Sequence, residues 1–121
     1  MTTVECAVRL PNAERALVDR AKLADYLLSP SHPIGRFKAR FFNRLGFRAD
    51  AWEELEHALR EQHVLVADAE AGDPEEFGQP FMIRAILRGP NGVAARVVSV
   101  WFVRCGEDVP RFVTAYPGDL K

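Results

Sequence analysis

The sequence predicts an α+β fold, with N-terminal helices packed on one face of a C-terminal antiparallel sheet: a three-stranded meander with room for a fourth short strand. Three observations carry that expectation. The first half repeats its apolar side chains at helical spacing. Residues 81–116 are instead β-branched and aromatic, interrupted by the turn sequences GPNG and CGEDVP. The chain has 121 residues, enough for one core and hence a single domain over 1–121.

Each element has a local reason. RALV (15–18), after Pro11-Asn12, reads as a brief strand. Asp19 caps a helix over 20–28 whose apolar side is Leu23, Tyr26 and Leu27. Pro30 ends it, because the residue before a proline is pushed out of the helical region, so SPSHP is a stiff turn. A second helix spans 35–45, with Gly46 as its C-terminal glycine. At about 100° per residue, Arg36, Arg40 and Arg44 form one stripe, while Phe37, Phe41 and Leu45, widened by Phe42, form the apolar one. Lys38 falls inside that apolar arc. Its stem crosses buried surface, so the ammonium either snorkels to solvent or is aimed at a partly buried anion. Asp50-Ala51-Trp52-Glu53 reads as a capping-box start for a third helix, with Trp52, Leu55 and Leu59 inside and acids outside. His57 and His63, six residues apart, read as exposed or edge histidines. Residues 67–80 are acidic and turn-rich and read as a long connector. Strands follow at 81–88, 93–104 and 111–116, and GPNG is a hairpin turn without the spacing of a phosphate loop.

Composition excludes several classes. The chain is 48% hydrophobic and 27% charged, which fits a globular protein and not a disordered one. No apolar run approaches the ~20 residues of a membrane span. MTTVEC lacks the basic start and apolar stretch of a secretion signal, so the expected location is cytoplasmic. Cys6 and Cys105 have no pair motif and read as small, partly buried side chains in a reducing compartment. No Ser/His/Asp, Cys/His, paired-carboxylate or metal-ligand spacing stands out, so neither a metal nor a cofactor is expected.

The net charge of −1 conceals segregation. Residues 26–49 carry five bases (Arg36, Lys38, Arg40, Arg44, Arg48) and no acid, and 77–106 carry four arginines (Arg84, Arg88, Arg96, Arg104) and no acid. Between them, 50–76 holds ten acids and one base, Arg60. Two geometries follow: the basic blocks converge on a cationic cleft, or the acidic helix folds back to neutralise them. Pairing 88 with 93 and 104 with 111 puts Phe81, Ile83, Ala85, Leu87, Val98, Val100, Phe102, Val113 and Ala115 under the helices. The open face then carries Arg84, Arg88, Ser99, Trp101, Thr114 and Tyr116, a set suited to a nucleic-acid backbone and an unstacked base.

The combination of KLADYLLSPSHPIGRFKARFF with a closing WFVR and VTAYP resembles the bacterial domain of unknown function 6883 over nearly the whole chain. That resemblance lends no established activity, but implies a small companion protein of antitoxin or immunity type. The order of elements is also similar to the metal-independent ribonuclease toxins grouped around barnase, EndoU, the tRNase colicins and RelE, a likeness of architecture alone. It implies a ribonuclease of toxin type cleaving RNA on a basic sheet face. His32 would move the proton, Lys38 and Arg84 would clamp the phosphate and Thr114 or Tyr116 would supply a hydroxyl. Arg36 and Arg88 would add charge, Trp101 would stack a base and Tyr116 would line the site. The rival reading is a non-catalytic RNA- or protein-binding module, with RNA, an antitoxin-like protein or a second copy of the chain as partner, and no membrane.

Overall fold

A computed structural model describes residues 10–29, 31–33 and 35–118, and the statements below concern these. Helices come first and a four-stranded antiparallel sheet second, the predicted α+β order. Helix α1 (Arg20–Lys22) starts with the Ala21 N–H donating to Asp19 Oδ1 at 3.0 Å and continues as a π-helical turn over Leu23–Leu27. Helix α2 spans Gly35–Arg44, and α3 (Trp52–Leu59) runs on into a second π-turn, Arg60–Val64. Asp50 sits instead in a 3₁₀ turn (Ala49–Ala51), and no side chain caps α3. Residues 15–18 form no strand: Ala13–Arg15 is a 3₁₀ turn and Leu17 makes a single parallel bridge to Arg111. The fourth strand lies inside the expected connector, as β1 (Ala69–Ala71), before β2 (Gly78–Arg88), β3 (Ala94–Arg104) and β4 (Arg111–Pro117). Spatial order follows chain order. Cys6 and Pro30 lie outside the described residues, while Cys105 is an exposed free thiol and not partly buried.

The register differs from expectation by one residue. Gly89 N–H donates to the Val93 carbonyl at 2.9 Å, so the turn is a three-residue loop ending on Gly92 at φ +88, and Arg88 pairs with Ala94. One residue fewer in the loop flips β3 relative to β2. The covered face therefore holds Ile83 and Leu87 as expected, but Val97, Ser99 and Trp101 in place of Val98, Val100 and Phe102. On β4 the register shifts between Val100 and Trp101, so two residues, Val113 and Thr114, lie between the buried Phe112 and Ala115. Trp101 is 0% exposed and packs edge-on to Phe112 at 5.2 Å, so it offers no platform for a base.

The hairpin tip also ends α2. Asn91 Nδ2 donates to the Arg44 carbonyl at 2.9 Å, and Gly46 takes φ +98 as the predicted C-terminal glycine. A Cβ on Gly89 would overlap the Leu45 carbonyl oxygen, so only glycine allows this approach. Core side chains come from every layer: Leu23 and Leu27, Phe42 and Leu45, Leu55 and Leu59, then Ile83, Leu87, Val97 and Trp101.

One polar chain is sealed into that core. The π-turn after α3 carries His63 inward, where it is 0% exposed and not the edge residue the spacing implied. Its Nδ1 lies 2.8 Å from Ser99 Oγ, which accepts from Trp101 Nε1 at 2.9 Å. Trp101 can only donate, which leaves the Ser99 proton available to His63 Nδ1. His63 Nε2 makes no hydrogen bond of normal geometry. Burial lowers the His63 pKa from 6.5 to about 4, opposed only partly by the Ala85 backbone.

Native His63 therefore binds fewer protons than its unfolded counterpart between those two values, and stability rises with pH across the window. The contribution is complete above pH 6.5 and is lost as pH falls towards about 4, on the order of 3 kcal/mol in all. Urea unfolding at a series of pH values is expected to show this slope in the wild type and a flatter profile in His63→Leu, whatever the variant's absolute stability. Equal slopes would contradict it.

Candidate functional site

The turn SPSHP, which opens the basic stretch, is built around its histidine. His32 N–H donates to Ser29 Oγ at 3.2 Å, the Gly35 N–H donates to His32 Nδ1 at 3.0 Å, and the Arg36 N–H donates to the His32 carbonyl at 3.0 Å. His32 is thus the cap of α2, satisfying amides that the first turn leaves without partners. Its ring meets Tyr26 edge-on, centroids 4.9 Å apart. Gly35 is buried against Tyr26, and a Cβ there would overlap the Tyr26 carbonyl oxygen. Glycine at the head of α2 lets that helix lie directly on the end of the first.

This close approach delivers Lys38. Placed in the apolar arc, it does not snorkel to solvent: its ammonium donates to Tyr26 Oη at 2.9 Å and to Thr114 Oγ1 at 3.0 Å. The ammonium also lies 5.3 Å from the Tyr26 ring centroid. Thr114 comes from the shifted stretch of β4, the edge strand of the sheet. The π-turn after α1, helix α2 and strand β4 therefore each contribute one polar atom to a single half-buried point, and among the described residues no carboxylate joins it.

Electrostatics sharpen the point. Several carboxylates make their contacts elsewhere: Glu56 with Arg60, Glu70 with Arg84, Glu107 with Arg111 and Asp108 with Arg15 as ion pairs, and Glu61 against the His57 imidazole. Among the described residues none of the α2 cations, Arg36, Lys38, Arg40 or Arg44, pairs with a carboxylate. Burial alone would raise the Tyr26 phenol, but hydrogen bonding from Lys38 and Thr114 and the charges of Lys38 and Lys22 outweigh it, so its pKa falls below the usual 10.0. Tyr26 was absent from the expected site because it read as part of the first helix's apolar side. The clue was its place in the distinctive KLADYLLSP segment.

The other expected site residues separate. His32 and Thr114 join Lys38. Arg84 stands two strands from β4, opposite Val98, and Tyr116 is Val98's partner on the far side. That puts Arg84 about 10 Å from β4, paired with Glu70 at 3.4 Å. Arg88 folds its guanidinium onto the hairpin, donating to the Gly92 carbonyl at 3.0 Å, and its backbone meets Gln62 beside a hollow that Glu53 and Glu54 also line. Arg36 lies over the Phe37 ring, 4.5 Å from its centroid. Tyr116 is half-buried along β4, and Trp101 is core. The two acid-free stretches do meet, at a hollow of about 470 Å³ lined by Phe37, Arg40, Phe41, Arg44, Arg96 and Pro117. No acid lines it among the described residues. Nor do three or more His, Cys, Asp or Glu residues gather there into a metal-binding group. No described helix is long and apolar enough to cross a membrane.

The family model "Domain of unknown function (DUF6883)" matches residues 9–119. The chain belongs to that family. Among solved structures it is similar to a chain of the contact-dependent growth inhibition toxin–immunity protein complex from Klebsiella pneumoniae 342. Identity is 22%, the TM-score is 0.54, and the match covers 84% of this chain and 98% of that one. That likeness shows a shared fold. No curated protein matches the chain.

Removing the Lys38 ammonium takes away the largest influence holding the Tyr26 phenol below its ordinary pKa. In a Tyr116→Phe background, Lys38→Met is expected to raise the ultraviolet titration midpoint of Tyr26. An unchanged midpoint would mean the contact does not form in solution. Gly35→Ala is expected to cost about 1–3 kcal/mol in urea unfolding, because backbone and not a flexible side chain blocks the added methyl.

Proposed function

We propose that this domain is an RNA-cleaving protein of toxin type, acting by side-chain acid–base chemistry at the Tyr26–Lys38–Thr114 point. One observation carries the reading: a half-buried ammonium held by two neutral hydroxyls, with no carboxylate among the described residues. A buried charge is costly without an opposite charge, and neutral oxygens compensate it only in part. A phosphodiester bound there supplies the missing anion.

The chemistry then follows from the groups present. The resting phenol of Tyr26 is neutral; once it has given its proton to solvent, a loss that Lys38 favours, Tyr26 Oη accepts the proton of a ribose 2′-hydroxyl. The O2′–P bond forms, and Lys38 stabilises the charge that accumulates on the phosphorane oxygens. The P–O5′ bond breaks, and the leaving oxygen takes a proton from solvent. The products are a 2′,3′-cyclic phosphate and a 5′-hydroxyl. Thr114 orients the ammonium. His32, whose Nδ1 is engaged by the α2 amide, is assigned a positioning role: it fixes the Tyr26 ring and the start of α2.

The fold shared with a chain of a toxin–immunity complex supports a setting in which a protein partner holds such an activity in check. The α2 cations suit an acidic partner, so a binding role without chemistry is the second reading. It is distinguished by RNA that stays intact while an acidic protein binds.

The test uses purified protein and single-stranded and structured RNA. The expected result is cleavage leaving cyclic-phosphate or 3′-phosphate ends, lowered roughly 100-fold or more in Tyr26→Phe and in Lys38→Met. His32→Ala is expected to lose activity along with about 1 kcal/mol of stability from the lost cap. Arg84→Ala, remote from the point, is expected to cleave as the wild type does. Intact RNA across the panel, or full activity in Tyr26→Phe, would overturn the assignment.

A further inference from the structure

Helix α2 presents more than Lys38. Around its axis, Phe41 and Phe37 lie between Lys38 and the stripe of Arg44, Arg40 and Arg36. Phe37 is 58% exposed although Arg36 covers one side of its ring, an unusual position for so large an apolar group. On the sheet side, β4 leaves Thr114 and reaches Pro117 three residues later, about 10 Å along the strand. Pro117 lines the same hollow as Phe37, Arg40, Arg44 and Arg96. The Lys38 point and the arginine-lined hollow therefore lie along one seam between α2 and β4, with an exposed phenyl ring between them.

We infer that this seam is a subsite for single-stranded RNA next to the cleavage point, with a base lying on Phe37 and the neighbouring phosphate held between Arg40 and Arg44. The inference rests on the ribonuclease reading for its orientation. Its affinity for RNA does not depend on any cleavage. Arg40 and Arg44 are one helical turn apart, about 6 Å along the axis, a span suited to a single bridging phosphate. A cationic groove that also offers an aromatic face suits a polynucleotide better than an acidic peptide. A carboxylate chain satisfies the arginines but has nothing to place on the ring.

The test is fluorescence anisotropy with a labelled uridine tetranucleotide, 2′-O-methylated throughout so that it resists transesterification. Phe37→Ala is expected to weaken binding about tenfold with an unchanged salt dependence, because stacking releases no counterions. The double variant Arg40→Gln/Arg44→Gln is expected to flatten the plot of log Kobs against log salt by about 0.7 for the lost phosphate contact. Phe37 is mostly exposed, so its thermal melt should match the wild type and a loss of affinity is not a loss of fold. Wild-type affinity in Phe37→Ala, or a tetraglutamate peptide competing as well as the RNA, would overturn the inference in favour of a surface that reads charge alone. Two outcomes separate the proposals. A wild type that cleaves nothing yet binds through Phe37 sinks the enzyme and keeps the subsite. One that cleaves with a KM indifferent to Phe37 does the reverse.

Discussion

The contact on which this architecture turns is an ammonium that, among the described residues, has no anion. Lys38 could have reached solvent from almost any other position on α2, yet it sits among Phe41, Phe42 and Leu45 and ends against two hydroxyl groups. Three separate features make that possible. The π-turn of the first helix carries Tyr26, Gly35 lets α2 lie on the Tyr26 backbone, and the register shift in β4 brings in Thr114. Two of them also serve the core: the π-turn carries the buried Leu23 and Leu27, and the register shift in β4 sets Phe112 and Ala115 inward. Among the described residues the ammonium's hydrogen bonds go only to hydroxyl groups, and neutral oxygens compensate a half-buried charge only in part.

The molecule contains a second buried polar chain, and the contrast is instructive. His63, Ser99 and Trp101 are linked through the Ser99 hydroxyl and lie wholly inside the core. Ser99 joins the other two, His63 Nε2 has no hydrogen bond of normal geometry, and the histidine stays neutral because burial penalises its charged form. That chain ties α3 to the sheet, and no substrate could reach it. The Tyr26–Lys38–Thr114 point uses similar residue types on an edge strand, half-exposed and with its charge unbalanced. Access and imbalance distinguish a site from a staple.

Sequence reasoning reached the class of fold, the stripes of α2 and the odd placement of Lys38, because helical periodicity is a short-range property. It missed what depends on counting across turns. Reading GPNG as a four-residue loop slipped β3 by one, which moved Ser99 and Trp101 from the core to an imagined open face. The extra residue in β4 then hid the reason Thr114 can meet α2. His63 read as an edge residue because ordinary helical spacing cannot foresee that α3 widens into a π-turn. Tyr26 was overlooked for a different reason: an amphipathic side chain at an apolar position reads as packing until the cation beside its hydroxyl is seen.

Charge segregation, finally, has a simple resolution in three dimensions. The acidic stretch does not cover the basic one. Three of its carboxylates have partners away from α2, Glu56 with Arg60, Glu61 with His57 and Glu70 with Arg84. Arg84 is paired with Glu70 and Arg88 is folded onto the Gly92 carbonyl of the hairpin, so the outer face of the sheet loses much of the positive character expected of it. The α2 cations keep theirs. On the proposed function, it is the seam between helix and edge strand, and not the open face of the sheet, that offers both cations without carboxylate partners among the described residues and a hollow beside them.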